Sequence, residues 1–297
     1  MWLITPPLGA IIEFPQKRRE ESASLPRILG RCGTFEIRLA TTNDEIRKAQ
    51  RLRYKVFYEE GGAIAQPRAA LVRRDLCRFD KVCDHLLVVD TAARNSFRRI
   101  NPKVVGTCRL LRGEVAQSHG GFYSASEFDL APLLKRHAER RFLELGRSCV
   151  HPGYRSKRVI ELLWRGLWIY AKHHNIDVLI GCASLPGTNP LALALPLSFL
   201  HHCASADPAW QVRPRDGRAA LMAILDKAAI DPRRGIAALP PLLKAYVRIG
   251  AKFADGAVVD PAFGTIDVFT TMPVGEIEAR YIAYFGDPGE VGKGAAA

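Results

Sequence analysis

The chain has 297 residues, of which 48% are hydrophobic and 25% are charged. This composition is ordinary for a folded globular protein and excludes a disordered or a largely membrane-embedded chain, while the length allows one large domain or two small ones. The formal net charge of +13 implies an acidic partner, which could be a nucleic acid, an anionic membrane surface or an acidic protein such as a carrier.

The N-terminal 33 residues are expected to form a loosely ordered leader. Their apolar run, Met1 to Phe14, is too short to span a bilayer, and its positive charges follow it instead of preceding it. No transmembrane segment is recognisable elsewhere, so any membrane contact is expected to be peripheral.

Seven cysteines, an odd number without a CxxC pair, indicate reduced thiols in a cytoplasmic protein. His201-His202-Cys203 has no second ligand cluster at zinc spacing, so no metal site is predicted.

The first predicted elements are a strand at Phe35–Leu39 and a helix that runs to about Glu60. Thr42 and Glu45 have the spacing of a capping box at the start of this helix. Arg53 falls on the apolar stripe of the helix, and two interpretations remain open. It is either a buried guanidinium that needs an anionic partner, or a side chain that extends along the surface to reach water.

Residues 63–76 are expected to form a mobile loop. A hairpin follows, with strands at Leu86–Asp90 and Val104–Arg112, and Arg109 lies on the second of these strands. The acidic and titratable side chains just before the hairpin are Asp80, Asp84 and His85.

The strand Phe142–Val150 has two charged residues, Glu144 and Arg147, among apolar ones. Residues three apart point to opposite faces of a regular strand, but a bulge at Gly146 would bring both to one side. The alternative is a surface strand whose charged residues face solvent.

A basic turn, Arg155-Ser156-Lys157-Arg158, leads from this strand into an amphipathic helix at Val159–His174. The sequence strand, basic turn and helix is typical of a phosphate-binding site, because free N–H groups and the helix dipole favour an anion there.

The apolar run Ile176–Ala183 predicts a buried strand parallel to the preceding one, joined to it by a right-handed crossover. The whole predicts one α/β domain of three layers with a mixed sheet over residues 34–285, followed by a flexible tail at 286–297. The remaining expected elements are a helix at Leu191–His201, a strand at Ala220–Leu225, a helix from Asp231 to Gly250 interrupted at Pro240-Pro241, strands at Ala257–Val259 and Ile266–Met272, and a last helix at Glu276–Phe285.

Seven stretches together resemble the bacterial L-ornithine Nα-acyltransferases, which make lyso-ornithine lipid. They are Leu52–Phe57, Phe79-Asp80, Val105–Leu111, Glu144–Arg147, Val150–Arg155, Gly181–Thr188 and Leu193–His202. This family is similar to the acyl-homoserine-lactone synthases, and the resemblance implies the GNAT-like acyltransferase fold.

The resemblance also implies transfer of a 3-hydroxy fatty acyl group from acyl carrier protein to the α-amine of L-ornithine. The donor would be the phosphopantetheine arm of the carrier, with no permanently bound cofactor and no nucleic-acid partner. A lyso-ornithine lipid O-acyltransferase would act next, and the enzyme would be cytoplasmic or peripheral to the inner membrane.

The family's site residues correspond by resemblance to Arg53, Asp80, Arg109, Glu144 and Arg147, with donor binding at Arg155, Ser156, Lys157 and Arg158. Glu144 is the expected proton acceptor and His85 the second candidate. This chain departs from the family at one point, because Ser156, Lys157 and Arg158 stand where this fold usually has glycines. Bulky residues disfavour close wrapping of a pyrophosphate, and Lys157 or Arg158 would pair with the single phosphate of the arm or with acidic residues of the carrier.

Two rival functions remain. One is a synthase of the acyl-homoserine-lactone type that uses S-adenosylmethionine, against which the additional region at 220–285 argues. The other is a non-catalytic basic protein that binds nucleic acid or a membrane, against which the dispersed basic residues argue.

Overall fold

The computed structural model describes residues 25–215 and 217–277. The described strands are β1 Gly30–Cys32, β2 Phe35–Leu39, β3 Asp84–Asp90, β4 Lys103–Arg112, β5 Phe128–Asp129, β6 Phe142–Val150, β7 Val178–Pro186, β8 Arg213–Pro214, β9 Ala219–Ala220, β10 Lys252–Asp260 and β11 Thr265–Pro273. Nine of these strands form one mixed sheet in the order β1-β2-β3-β4-β6-β7-β11-β10-β9, and β5 pairs with β8 in a two-stranded ribbon.

The described α-helices are α1 Asn43–Tyr54, α2 Pro67–Val72, α3 Gly113–Ser118, α4 Ala131–Arg136, α5 Lys157–His173, α6 Ala194–Cys203, α7 Pro232–Ala238 and α8 Pro241–Arg248. The Thr42 hydroxyl caps α1 by accepting from the Glu45 N–H. A π-helical turn at Lys55–Glu60 continues α1 to the residue at which the sequence predicts its end.

Helices cover both faces of the sheet, which confirms the three-layer prediction. Ala49 and Leu52 of α1 pack on Leu87, Val89 and Val104 on one face. The apolar stripe of α5 packs on the other face together with α6, α7 and α8. The side chains of β6 alternate between these layers, so Leu143 and Leu145 lie on the α5 side and Phe142 on the α1 side.

The central strands β6 and β7 are parallel, as predicted, but they pair only over three residues, Phe142–Glu144 against Val178–Ile180. The close approach ends at Gly181, where a Cβ atom would lie 2.4 Å from the carbonyl oxygen of Leu145. Beyond that point each strand continues without the other as a pairing partner. The sheet therefore opens between β6 and β7.

Three of the sequence-based boundaries are wrong. Residues 25–33 belong to the domain and not to a loose leader, because Leu25 and Leu29 are buried and β1 pairs with β2. Residues 63–76 contain α2 and are held by buried Asp75. The strand expected at Ala220–Leu225 shrinks to β9.

Residues 1–24 of the expected leader, most of the expected last helix and the tail at 286–297 lie outside the described residues. Within the described part of the chain, no helix is both long and apolar enough to cross a membrane.

Candidate active site

Arg53 of α1 is completely buried and lies between two buried aspartates. Its Nη2 donates to both carboxylate oxygens of Asp80 at 2.7 and 2.9 Å and to the backbone oxygen of Asp75 at 2.8 Å. Its Nε lies 2.8 Å from Asp75 Oδ2. The interpretation of Arg53 as a buried guanidinium with anionic partners is therefore confirmed, and the surface alternative is wrong.

Asp80 joins Arg53 to β4, since Arg109 Nη1 also reaches Asp80 Oδ1 at 3.4 Å. Gln50 Nε2 and the Cys77 N–H donate to the same carboxylate. Burial on its own would raise the pKa of Asp80, but the charge and hydrogen bonds of Arg53, together with the neighbouring His85 and Arg109, outweigh that effect and hold this pKa well below its usual range. Asp80 is consequently a permanent anion of the network.

His85 lies beside this network and is buried. Its Nε2 is 3.1 Å from the backbone oxygen of Asp80, and burial lowers its pKa to about 4. The ring is neutral at physiological pH, and His85 does not line either of the cavities described below. The geometry thus ranks it below Glu144 as a proton acceptor.

The predicted bulge in β6 exists, one residue later than expected. The pairing of β4 with β6 shifts between Thr107 and Arg109, and the residue in the left-handed region is Arg147, with a φ of 51°. For a residue with a side chain this conformation costs on the order of 1 kcal/mol. The bulge turns Arg147 toward the α1 side of the sheet, the side on which Glu144 lies.

The Arg147 side chain is held by ionic and aromatic contacts. Its Nε donates to Asp75 Oδ2 at 3.2 Å, and its guanidinium carbon lies 4.8 Å from the ring centre of Tyr123 and 4.6 Å from that of Phe263. Arg147 and Arg53 therefore share Asp75 as a partner.

Glu144 is buried and receives hydrogen bonds from the turn at 122–126. The backbone N–H groups of Tyr123 and Ser124 donate to its two carboxylate oxygens, each at 2.8 Å, and the Ser124 hydroxyl also donates to Oε1. Burial raises the pKa of Glu144 despite these hydrogen bonds, which act in the opposite direction. A buried carboxylate with a raised pKa can accept and hold a proton.

Glu144 and Arg147 line a polar cavity of about 280 Å³ that opens between the separated parts of β6 and β7. An apolar cavity of about 380 Å³ adjoins it on the α5 side and is lined by Ile160, Leu163, Trp164 and Pro241, among others. The residues that line both cavities are Val56, Phe57, Leu145, Ser148, Leu242 and Tyr246.

The basic turn begins beside the apolar cavity, which Arg155 lines. Arg155 forms a bidentate pair with Glu60, at 2.5 and 2.6 Å. Ser156 occupies the N-cap of α5, and the first turn of that helix has no acidic residue. Lys157 pairs with Glu161 at 3.3 Å but is 83% exposed, and Arg158 is also exposed. The turn thus presents cationic side chains to solvent at a helix N-terminus.

Of the five site residues predicted within the fold, Arg53, Asp80, Arg109 and Arg147 belong to one connected network, and Glu144 lies apart with its own partners. Of these five residues, Glu144 and Arg147 line the polar cavity and the other three do not. Three contributors were not predicted from the sequence: Asp75, which falls in an expected loop, and Tyr123 and Ser124.

Residues 52–165 match the family model of the acetyltransferase (GNAT) domain, in agreement with this architecture. The solved structure of FeeM, an N-acyl amino acid synthase from uncultured soil microbes, is 11% identical and aligns with a TM-score of 0.44 over 82% of this chain and 92% of its own.

The curated relatives are much more similar. The L-ornithine N(alpha)-acyltransferase of Rhizobium meliloti (strain 1021) is 48% identical over 269 residues, 91% of this chain and 90% of that protein. The protein of the same name from Brucella abortus (strain 2308) is 49% identical over 259 residues, 87% of this chain and 91% of its own. Identity at this level over nearly the whole of both chains shows that this chain belongs to the L-ornithine Nα-acyltransferase family.

Proposed function

We propose that this protein transfers a 3-hydroxy fatty acyl group from acyl carrier protein to the α-amine of L-ornithine, giving lyso-ornithine lipid. The reaction named for its relatives supports the acceptor. The main structural support is the polar cavity, in which the carboxylate of Glu144 and the guanidinium of Arg147 line the gap between β6 and β7. Attack of an amine on a thioester needs a proton acceptor and a way to orient the acceptor molecule.

In this proposal Arg147 binds the α-carboxylate of ornithine. Its Nε is used by Asp75, and its planar guanidinium is held between the rings of Tyr123 and Phe263. An arginine fixed in this way is suited to a carboxylate, because its donors match the two oxygens. Arg53, Asp80 and Arg109 do not line the cavity, and we assign them the role of holding β4, β6 and α1 in register around it.

Glu144 accepts the proton that the α-ammonium must lose before or during attack, directly or through a water molecule. Among the described residues its Oε2 has a single donor, the Tyr123 N–H, which leaves acceptor capacity on that oxygen. As the amine bonds to the thioester carbon, the carbonyl oxygen gains negative charge. Backbone N–H groups at the bulge in β6 are the proposed donors to it, and the carrier thiol leaves with a proton.

The apolar cavity is the proposed site of the acyl chain, because it adjoins the polar cavity and is lined by aliphatic and aromatic side chains. The phosphate of the phosphopantetheine arm would lie at the N-terminus of α5, near Lys157 and Arg158. The basic turn would then face the acidic carrier. We also place the enzyme in the cytoplasm or at the inner membrane surface, where an O-acyltransferase would consume its product.

The test is an incubation of the purified protein with 3-hydroxyacyl carrier protein and, separately, L-ornithine, L-lysine and L-glutamine. Product masses should show one acyl group added to ornithine, and fragmentation should locate it on the α-nitrogen. Transfer to none of the three amino acids, or acylation of the side-chain nitrogen, would contradict the proposal.

A further inference from the structure

Three buried carboxylates that play no part in the scheme above lie together beside the polar cavity. They come from distant segments: Glu127 precedes β5, Asp260 ends β10 and Asp267 lies on β11. One carboxylate oxygen from each lies within 4.8 Å of the others. Their exposures are 4%, 7% and 6%, so water screens their mutual repulsion poorly.

The hydrogen bonds of this acidic cluster leave it short of donors. Asp260 accepts from the N–H groups of Ala262 and Phe263, and Asp267 accepts from the hydroxyls of Thr265 and Ser184. Glu127 accepts from the Cys182 thiol, but its Oε2 is buried and has no hydrogen-bond partner among the described residues. None of the ion pairs within residues 25–215 and 217–277 includes any of the three carboxylates.

Three clustered buried carboxylates without a cation are expensive for the fold. Burial, and then the charges of Asp267 and Asp260, raise the pKa of Glu127 to about 7, with Cys182 and Arg218 facing it. Burial also raises the pKa of Asp267, against the opposing effect of the hydrogen bonds from Ser184 and Thr265 and of the Arg147 charge. Near neutral pH Glu127 is therefore partly protonated, and a cation that binds the cluster would displace that proton.

The position of the cluster indicates which cation it binds. Asp260 and Asp267 line the same polar cavity as Glu144 and Arg147. In the proposed function the α-carboxylate of the acceptor amino acid lies at Arg147 and its α-amine at Glu144. The rest of that amino acid is therefore in the same cavity as two of the three acidic groups. A primary ammonium has three N–H donors and no acceptor, which matches three carboxylates.

We infer that Glu127, Asp260 and Asp267 form the subsite for the side-chain ammonium of the acceptor amino acid and so select a diamino acid. This inference rests on the proposed function. A buried polar subsite discriminates strongly against an analogue that lacks the matching group, because its own polar atoms are then left unpaired. L-Norvaline is that analogue, since it is ornithine without the terminal amino group.

The test measures binding of L-ornithine and L-norvaline by calorimetry without any acyl donor, so that it does not depend on acyl transfer. Glu127→Gln and Asp267→Asn should weaken ornithine binding by about 10- to 100-fold and leave norvaline binding unchanged. Asp255→Asn is the matched control, because Asp255 lies on β10 like Asp260 but is solvent-exposed. Removing a buried charge from the cluster relieves repulsion, so the unfolding temperature of both variants at pH 8 should equal or exceed that of the wild-type protein. This measurement establishes that the variants are folded.

Unchanged ornithine affinity in both variants would overturn the inference. A second result would also overturn it: the wild-type protein binds Mg²⁺ or Ca²⁺, both substitutions abolish that binding, and the affinity for ornithine does not change. The cluster would then be a metal site. If the wild-type protein binds ornithine through these carboxylates but transfers no acyl group, the inference stands and the proposed function fails.

Discussion

Arg147 Nε and Asp75 Oδ2 lie 3.2 Å apart, and this contact joins the bulge of β6 to the buried charges beneath α1. Asp75 also contacts Arg53, which in turn contacts Asp80. Arg147, which lines the polar cavity, is thereby held in place through Asp75 by Arg53 and Asp80, which do not line the cavity. Substitutions in the buried part should consequently affect both stability and acyl transfer.

Arg53→Ala should lower the free energy of unfolding by about 3–5 kcal/mol, because it leaves two buried aspartates with one cation fewer. Arg53→Lys should be nearly as harmful, since a lysine cannot span Asp75 and Asp80 with a planar fork. Chemical denaturation measures both, and Arg51→Lys, at an exposed position of α1, is the control. Wild-type stability and activity in Arg53→Lys would contradict the assigned role.

Glu144→Gln should reduce turnover by ~10²-fold or more at neutral pH. The deficit should shrink above the pKa of the acceptor amine, where the amine is already neutral, and a merely structural defect would not show this recovery. Turnover of the variant is to be followed across pH at saturating acyl donor.

Ser124→Ala is the control for Glu144→Gln, because it removes one hydrogen bond to Glu144 without removing the carboxylate. It should retain most of the activity. Near-normal turnover of Glu144→Gln at neutral pH would show that the proton acceptor is another group.

Reversing the charges of Lys157 and Arg158 should raise the apparent KM for acyl carrier protein and flatten its dependence on ionic strength. Both effects follow if these exposed cations attract an acidic partner, since salt screens such attraction. Steady-state kinetics give the KM for acyl carrier protein at salt concentrations from 50 to 500 mM, which corresponds to about a threefold range of Debye length. The same reversal at Arg233 and Arg234, exposed on α7, should leave KM unchanged. Equal effects at the two pairs would argue against a specific contact.

His85 should make the fold less stable as the pH falls from 6.5 toward 4. The unfolded chain binds a proton near 6.5, whereas burial lowers the folded-state pKa to about 4, so the unfolded state holds more protons in that window. The contribution of neutral His85 to the free energy of unfolding is fully present above pH 6.5, and its loss approaches roughly 3 kcal/mol as the pH falls to 4. Asp80, Arg53 and Arg109 face the ring.

His85→Gln should reduce the loss of stability between pH 7 and pH 4.5, because glutamine does not titrate. This expectation holds whatever the substitution does to the stability at pH 7. Denaturation curves of both proteins at pH 7 and pH 4.5 provide the comparison. Parallel losses in wild type and variant would mean that other groups account for the acid sensitivity.

The apolar cavity should limit chain length. Leu163 lines it from α5, and Leu163→Trp should shift the preference toward shorter acyl donors by reducing the cavity volume. Competition between donors of different length, with product masses as the readout, tests this. An unchanged length preference would place the acyl chain elsewhere.

The local pattern of the chain was enough to predict several parts of the site. The stripe of α1 placed Arg53 on the apolar face of the helix, because residues three and four apart share a helix face, and its burial was one of the two interpretations left open. Two charged residues on the apolar strand β6 predicted the bulge that brings Glu144 and Arg147 to one side, although the glycine was the wrong bulge residue. The continuous apolar run of β7 predicted a buried parallel strand. Each of these features depends on a period or a turn within one segment.

Only the tertiary structure decided which groups meet. Asp75 lies in a segment without a clear period, and its pairing with Arg53 and Arg147 depends on how α2 packs. Glu127, Asp260 and Asp267 are separated by more than a hundred residues of chain at the widest, and they meet because β10 and β11 pair beside the turn that holds Glu144. The sequence could place charged residues on apolar faces of helices and strands, since the faces follow from local periodicity. The choice of partner depends on long-range packing, which no local pattern encodes.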